Sequence, residues 1–255
     1  MKTAHRLSPH DGLTLATLLL GALSIPCSWA APPEIKVFTD EIAEVHGISL
    51  EMITSIFRPP SDSVPSSNVF QEYAEYAVGI APGIEISAYA PVSSVGGHWR
   101  GEGAGMMLTF IAAHDEKAGP YWGFNVDLGH LGSPGETSRW SVDARPILGL
   151  RVSGWHFTVN PAIEIPLTGE RSRVMFNPRA KAALSLDESN AVGLEYYGEA
   201  GPLRQLLPND RRNEVACLVW DAELGKVEIN MGAGTHLTES SDRWVFKLGV
   251  SVHWQ

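Results

Sequence analysis

From Trp244 to Trp254 the chain alternates strictly. Trp244, Phe246, Leu248, Val250, Val252 and Trp254 fall on one parity, with Val245, Lys247, Gly249, Ser251 and His253 between them. A period of two places these sets on opposite faces of one β-strand. The length is that of a tilted strand crossing a bilayer, and a tryptophan marks each end at the depth of an interfacial girdle.

The same reading, taken along the chain, predicts strands over residues 48–58, 69–80, 84–90, 103–114, 121–131, 139–151, 155–167, 173–184, 191–199, 213–220, 226–234 and 244–254. Trp122, Phe124, Val126 and Leu128 oppose Asn125 and Asp127 in one of them, and Trp155, Phe157 and Val159 oppose His156, Thr158 and Asn160 in another. Twelve is an even count, as bacterial barrels have. If the first strand runs outward, the inner connections are 81–83, 115–120, 152–154, 185–190 and 221–225. The outer ones are 59–68, 91–102, 132–138, 168–172, 200–212 and 235–242, longer with the exception of 168–172. Short turns on one side and longer loops on the other are the barrel pattern. A soluble sandwich also alternates, but several of these strands are long for one, and Trp122, Trp140, Trp155, Trp220, Trp244 and Trp254 sit near strand ends. The expected fold is all-β: a transmembrane up-and-down antiparallel β-barrel of about twelve strands over residues 48–255.

The N-terminus has the layout of a signal peptide over residues 1–30. Lys2 and Arg6 precede an apolar run over 13–25, and Ser28-Trp29-Ala30 forms a small-x-small site, so cleavage is expected after Ala30. Residues 31–47 are acidic and unpatterned and are read as a periplasmic lead-in segment. Cleavage moves the formal charge from −10 to −11, which argues against nucleic acid as a partner. Only Cys217 would remain, so no intramolecular disulfide and no cysteine-rich metal site is expected. No later apolar run reaches helical spanning length, so any membrane crossing is made by strands. Export and the barrel pattern together place the chain in the outer membrane, with lipid as its surroundings.

Several stretches carry a resemblance: YAVGIAPGIEISAYAP from Tyr76, GPYWGFNVDLGHL from Gly119, RPILGLRVSGWHFTVNPAIEIPL from Arg145, LEYYG from Leu194, and residues 238–250. Together they resemble the proteobacterial outer-membrane family labelled for a MetA pathway of phenol degradation. The resemblance covers most of the mature chain and implies a barrel linked to passage of hydrophobic compounds. One departure from barrel proteins is that Gln255 follows the terminal aromatic Trp254.

If the apolar parity faces lipid, the other lines the lumen. That set contains the acids Glu85, Asp127, Asp143, Glu164, Glu195 and Glu228, the bases Arg145, Arg179, Lys181 and Lys247, and Tyr89, Asn125, His156, Asn160 and Tyr197. Such charges either pair across strands and fill a narrow interior or line a polar conduit. Pro146, Pro161 and Pro178 fall inside three successive strands on the apolar parity. Each forfeits a ladder hydrogen bond or sits at a bulge, and the three mark a candidate break in the wall. No GxSxG or HExxH motif occurs, so no catalytic residues, metal or cofactor are expected. Three functions stay open: a passive channel for small hydrophobic or aromatic compounds, a filled-lumen structural or partner-binding envelope barrel, and an outer-membrane lipid-modifying enzyme. The cargo and the oligomeric state are not encoded in these patterns.

Overall fold

A computed structural model of the chain describes residues 35–59, 67–115, 117–132, 138–168, 173–238 and 243–254. The expected signal peptide and its cleavage point lie outside these residues. The wall is built from β1 (Ile48–Arg58), β2 (Val69–Ala81), β3 (Ile84–Val95), β4 (Gly103–Ile111), β5 (Gly119–Leu131), β6 (Arg139–Val152), β7 (Trp155–Pro166), β8 (Met175–Ser185), β9 (Asn190–Glu199), β10 (Asn213–Leu224), β11 (Val227–His236) and β12 (Trp244–Trp254). Each strand pairs antiparallel with the next, and β12 returns to β1 along its full length, Ile48 opposite Trp254 and Arg58 opposite Trp244. The result is a closed twelve-stranded antiparallel barrel. Closure leaves no edge of unpaired N–H and C=O groups, the condition for a sheet to stand in lipid.

The boundaries shift from expectation where turn chemistry decides them. β3 continues to Val95 and pairs with a short strand, His98–Gly101, around Gly96 and Gly97, both at positive φ. The expected loop 91–102 is therefore largely a hairpin extension. Between β10 and β11 the connection shrinks to Gly225 and Lys226, because Gly225 takes a φ of 70°. Ser153 and Gly154, both at positive φ, make the two-residue turn between β6 and β7.

The outward parity is apolar and uncovered: Leu218 is 66% exposed, Leu194 60% and Trp122 57%. Trp140 and Trp244 lie toward the long-loop rim, and Trp122, Trp155 and Trp254 toward the short-turn rim. A belt of this kind is an aggregation surface in water and a solvated one in a bilayer.

The inward parity departs from a purely polar lining. Ile53, Tyr73, Tyr89, Met107, Ile111, Tyr121 and Ile147 form one apolar cluster in the lumen, and Phe57, Val69, Val215, Cys217, Val219 and Val245 form a second. A second departure matters more. The described part of the lead-in segment, 35–47, does not stay beneath the barrel but runs inside it. Ile35 packs against the second apolar cluster and Phe38 lies in the first. The chain then descends to the short-turn rim, where His46 at φ 64° and Gly47 turn it into β1. Gly79 makes this passage possible, since a Cβ there would stand 2.1 Å from the Glu44 carbonyl oxygen.

Candidate functional site

The site is the lumen and the segment that occupies it. Asn160, fully buried on β7, accepts a hydrogen bond from the Phe38 N–H (2.9 Å) and donates to the Phe38 carbonyl (3.0 Å). One side-chain amide thus satisfies both backbone groups of one residue, as a strand neighbour would. Arg179 donates to the Lys36 carbonyl (2.8 Å), and Glu85 accepts from the Ala43 N–H (2.6 Å). Lys36 Nζ bonds Glu51, and Glu75 at 3.0 Å.

Asp40 anchors the lower part of the segment. Arg151 grips it through two nitrogens, at 2.7 and 3.2 Å, the fork geometry that suits a carboxylate. His114 Nε2 lies 2.8 Å from the other side of the same carboxylate, and its Nδ1 lies 2.9 Å from the Ala112 carbonyl. Both ring nitrogens therefore face acceptors. Burial works against the charged imidazole, but the Ala112 carbonyl and Asp40 outweigh it and raise His114 above its ordinary 6.5.

Phe38 is the apolar counterpart. It belongs to one buried apolar cluster with Ile53, Tyr73, Tyr89, Met107, Ile111, Tyr121 and Ile147, with the Arg145 guanidinium carbon 5.0 Å and Lys36 Nζ 5.2 Å from its ring centroid. Tyr73 and Tyr89 are stacked at 5.1 Å. Glycines give the tyrosines room: a Cβ at Gly105 would strike the Tyr89 ring, one at Gly129 would crowd the Tyr89 hydroxyl, and one at Gly149 would strike the Tyr121 ring.

The residues expected in the lumen are placed as follows. Asn125, Asp127, Asp143 and Arg145 come together: Arg145 donates to Asn125 (2.8 Å), Asp127 (3.0 Å) and Asp143 (3.2 Å), while the Tyr89 hydroxyl reaches both Asp127 oxygens. A second group joins Lys181, Glu195, Tyr197 and Lys247. Lys247 and the Tyr197 hydroxyl both bond Glu195, and Lys181 lies 3.3 Å from Glu195 and 2.9 Å from Asp221. Glu164 pairs with Arg139 (2.6 Å) and Glu228 with His253 (3.2 Å) near the two rims, apart from either group. His156 lies 2.6 Å from the Tyr121 hydroxyl and 3.6 Å from Asp40. A cavity of about 240 Å3 remains beside the segment, lined by Glu51, Glu75 and Glu85 on one side and Lys181, Glu195 and Lys247 on the other, and reaching Glu188 and His253 at the short-turn rim.

The prolines interrupt the wall in two places. β6 and β7 pair from Ser141↔Pro166 to Ala144↔Ile163 and again from Leu148↔Val159 in the same register, but not at 145–147 against 160–162. In that register Pro146 and Pro161 stand opposite one another, and neither has an N–H to give. A residue's N–H and C=O point to the same neighbour in an antiparallel sheet, so Phe124↔Pro146 and Pro161↔Pro178 persist on the other sides without the missing bond. β8 stops pairing with β9 at Arg179↔Tyr197, next to Pro178, and resumes as Phe176↔Gly201. Asn160 Nδ2 lies 3.4 Å from the Pro146 carbonyl, behind the first gap.

Asp40, Glu41 and His156 hold donor atoms within 4.8 Å of one another, yet Arg151 already neutralises Asp40 there and His114 takes its second oxygen, so the donor set is spent within the protein. The sequence reading missed Lys36, Phe38 and Asp40, because a segment without periodicity gives no sign of its surroundings. It also missed the apolar clusters, whose nearest signal was glycine on the inward parity of β4–β6.

No family model matches the chain, and no curated protein matches it. Among solved structures, the chain is similar to the COG4313 outer membrane channel from Pseudomonas putida F1, with 12% identity over 87% of this chain and 100% of that one and a TM-score of 0.64. It is also similar to the KdgM porin, with 8% identity over 81% of this chain and 99% of that one and a TM-score of 0.52. At these identities the likeness is one of fold, and the fold is that of outer-membrane barrels.

Proposed function

We propose that the protein is exported, cleaved after Ala30 and inserted into the outer membrane, where it passes small hydrophobic or aromatic molecules passively, its N-terminal segment holding the path at rest. The observation that carries this reading is the seat of Phe38. A phenyl ring of the chain itself lies in an apolar cluster that contains Tyr73, Tyr89 and Tyr121, inside a lumen that also holds several charged groups. Once the segment swings down toward the rim, a free aromatic molecule fits where that ring was. The resemblance of residues 76–91, 119–131 and 145–167 to the phenol-degradation family agrees with such cargo, and the fold is shared with a protein described as a channel. The gap at Pro146 and Pro161 borders the same seat through Asn160 and gives an apolar molecule a sideways route into lipid. A disulfide at its edge, in an Ala144→Cys/Ile163→Cys variant that ties the last paired position before the gap, slows passage if that route is used and leaves it unchanged if not.

The test is uptake of the fluorescent aromatic N-phenylnaphthylamine by Gram-negative cells, with the full chain compared against a variant lacking residues 35–43. Faster uptake with the variant supports the channel. Equal uptake, with both proteins running as heat-modifiable barrels on gels, favours the second reading, a filled structural barrel, for which the dense internal pairing of Glu195, Lys247 and Lys181 speaks.

A further inference from the structure

We infer that the seat now held by Lys36 and Phe38 is built for an aromatic ammonium: a flat ring joined through a short linker to a protonated amine. The inference rests on the channel reading and narrows its cargo. The ring half is the pocket of Ile53, Tyr73, Tyr89, Met107 and Ile147. The charged half lies beside it. Lys36 Nζ stands 5.2 Å from the Phe38 ring centroid and bonds Glu51 and Glu75, and the Tyr73 hydroxyl, on the wall of the ring pocket, donates to Glu75 at 3.2 Å. The chain therefore displays, with two of its own side chains, a cation and an arene at the separation found in a phenylalkylamine.

Charge balance favours a cation in this seat. Glu75 has a side chain 5% exposed and Glu51 one 18% exposed, and both meet the same ammonium. When Lys36 leaves the seat, that cation leaves with it. With the rest of the segment in place the wall's cations keep other partners, Arg145 with Asp127 and Asp143, Lys181 and Lys247 with Glu195 and Asp221, Arg151 with Asp40, and Arg179 with the carbonyl of residue 36. Two adjacent carboxylates inside a lumen are costly without a counter-charge. An arylalkylammonium restores it and fills the ring pocket in one molecule. A neutral arene fills only the pocket, and an arylcarboxylate is repelled by the glutamates.

The experiment uses the full chain carrying Lys36→Ala and Phe38→Ala, which vacates both positions while Asp40 and Asn160 still hold the segment. Calorimetric titration in detergent compares phenethylamine hydrochloride, phenethyl alcohol and phenylacetate, after a heat-modifiability gel has verified the barrel. The expected order is amine first, tighter than the alcohol by about tenfold or more, the value of a charge-assisted contact, with phenylacetate weakest. Adding Glu51→Gln and Glu75→Gln erases the advantage of the amine and leaves alcohol binding in place. Equal binding of amine and alcohol overturns the inference and leaves the aromatic channel standing. Binding of neither ligand also overturns it, and if N-phenylnaphthylamine uptake is flat as well, the channel reading falls too. In the unsubstituted chain, phenethylamine competes with uptake of that probe at about tenfold lower concentration than phenethyl alcohol. Equal competition counts against the inference even if the variant does not fold.

Discussion

The two arcs of this barrel solve the same problem in different ways. On the arc from β8 to β12 the buried charges satisfy one another: Glu195 takes Lys247, Lys181 and the Tyr197 hydroxyl, and Asp221 takes Lys181 and Asn230. On the arc from β1 to β7 much of the wall is completed by the N-terminal segment. Glu51 and Glu75 hold Lys36, Glu85 holds the Ala43 N–H, Arg151 and His114 hold Asp40, and Asn160 holds the backbone of Phe38. The first arc is largely finished as a wall, meeting the segment at Arg179, which holds the Lys36 carbonyl, and at the apolar cluster against which Ile35 packs. The second is finished only by a tenant, and a tenant can leave without unfolding the sheet.

The most severe way to break that asymmetry is to remove the tenant. A chain lacking residues 35–43 keeps all twelve strands and all wall-to-wall pairs, so its barrel stays heat-modifiable on gels. A path closed about 99% of the time gains about a hundredfold when its occupant is deleted, read as uptake of N-phenylnaphthylamine. Collapse of the barrel on deletion would show instead that the segment is part of the core. Next in size is Glu195→Gln on the self-paired arc. It strands the buried Lys247 and costs about 3–5 kcal/mol. The expected readout is a lower temperature for loss of the folded gel band, with uptake little changed because Glu195 meets Tyr197, whose hydroxyl makes one long contact to the Ile35 carbonyl (3.5 Å), and not the segment itself. A rise in uptake as large as that of the deletion would erase the distinction between the arcs.

Asn160→Leu strikes the tenant-dependent arc at a single point. It orphans the Phe38 N–H and carbonyl, each at about 1–3 kcal/mol when left without a partner, and both costs fall on the seated state. Uptake rises while the folded band melts at nearly the same temperature, the reverse of the Glu195 result. Unchanged uptake would mean that Arg151 and Glu85 hold the segment without help from Asn160.

The asymmetry explains what could be read from sequence and what could not. Strand parity is a property of neighbours along the chain, so the alternation of Trp122 to Leu128 against Asn125 and Asp127 fixed fold and facing before any coordinates. The grouping of Arg145 with Asp127 and Asp143 follows from pairing of adjacent strands, although its members alone were named. Contacts between Phe38 and Asn160, 122 residues apart, leave no periodic trace, and an acidic stretch with one phenylalanine reads as a tether. Apolar residues on the inward parity, such as Ile53 and Tyr121, were equally silent, since a lumen filled by a peptide has no need to be polar. Pro146 and Pro161 were visible as ladder breakers, but that they face one another is a matter of register.

The smallest expected effect comes from protons. Asp40 is clasped from two sides, and only one of them titrates near neutrality. Burial pushes Asp40 up, but Arg151 and His114 outweigh it and hold it below 3.8, so it stays charged through the neutral range. His114 faces Asp40 and the Ala112 carbonyl, with the Tyr121 ring 5.3 Å away and Arg151 and His156 across the carboxylate. Its raised value means that the contribution of the charged imidazole is complete below about 6.5 and is lost as the pH climbs through that raised value. The segment is therefore held more tightly at pH 6 than at a pH above that raised value. Arg151 keeps its grip throughout, which limits the change in uptake to about two- to fivefold, the scale of one partly exposed ion pair. His114→Gln removes the pH step and leaves uptake at the level of the neutral imidazole. A step that persists in this variant would place the titrating group elsewhere on the tenant-dependent arc.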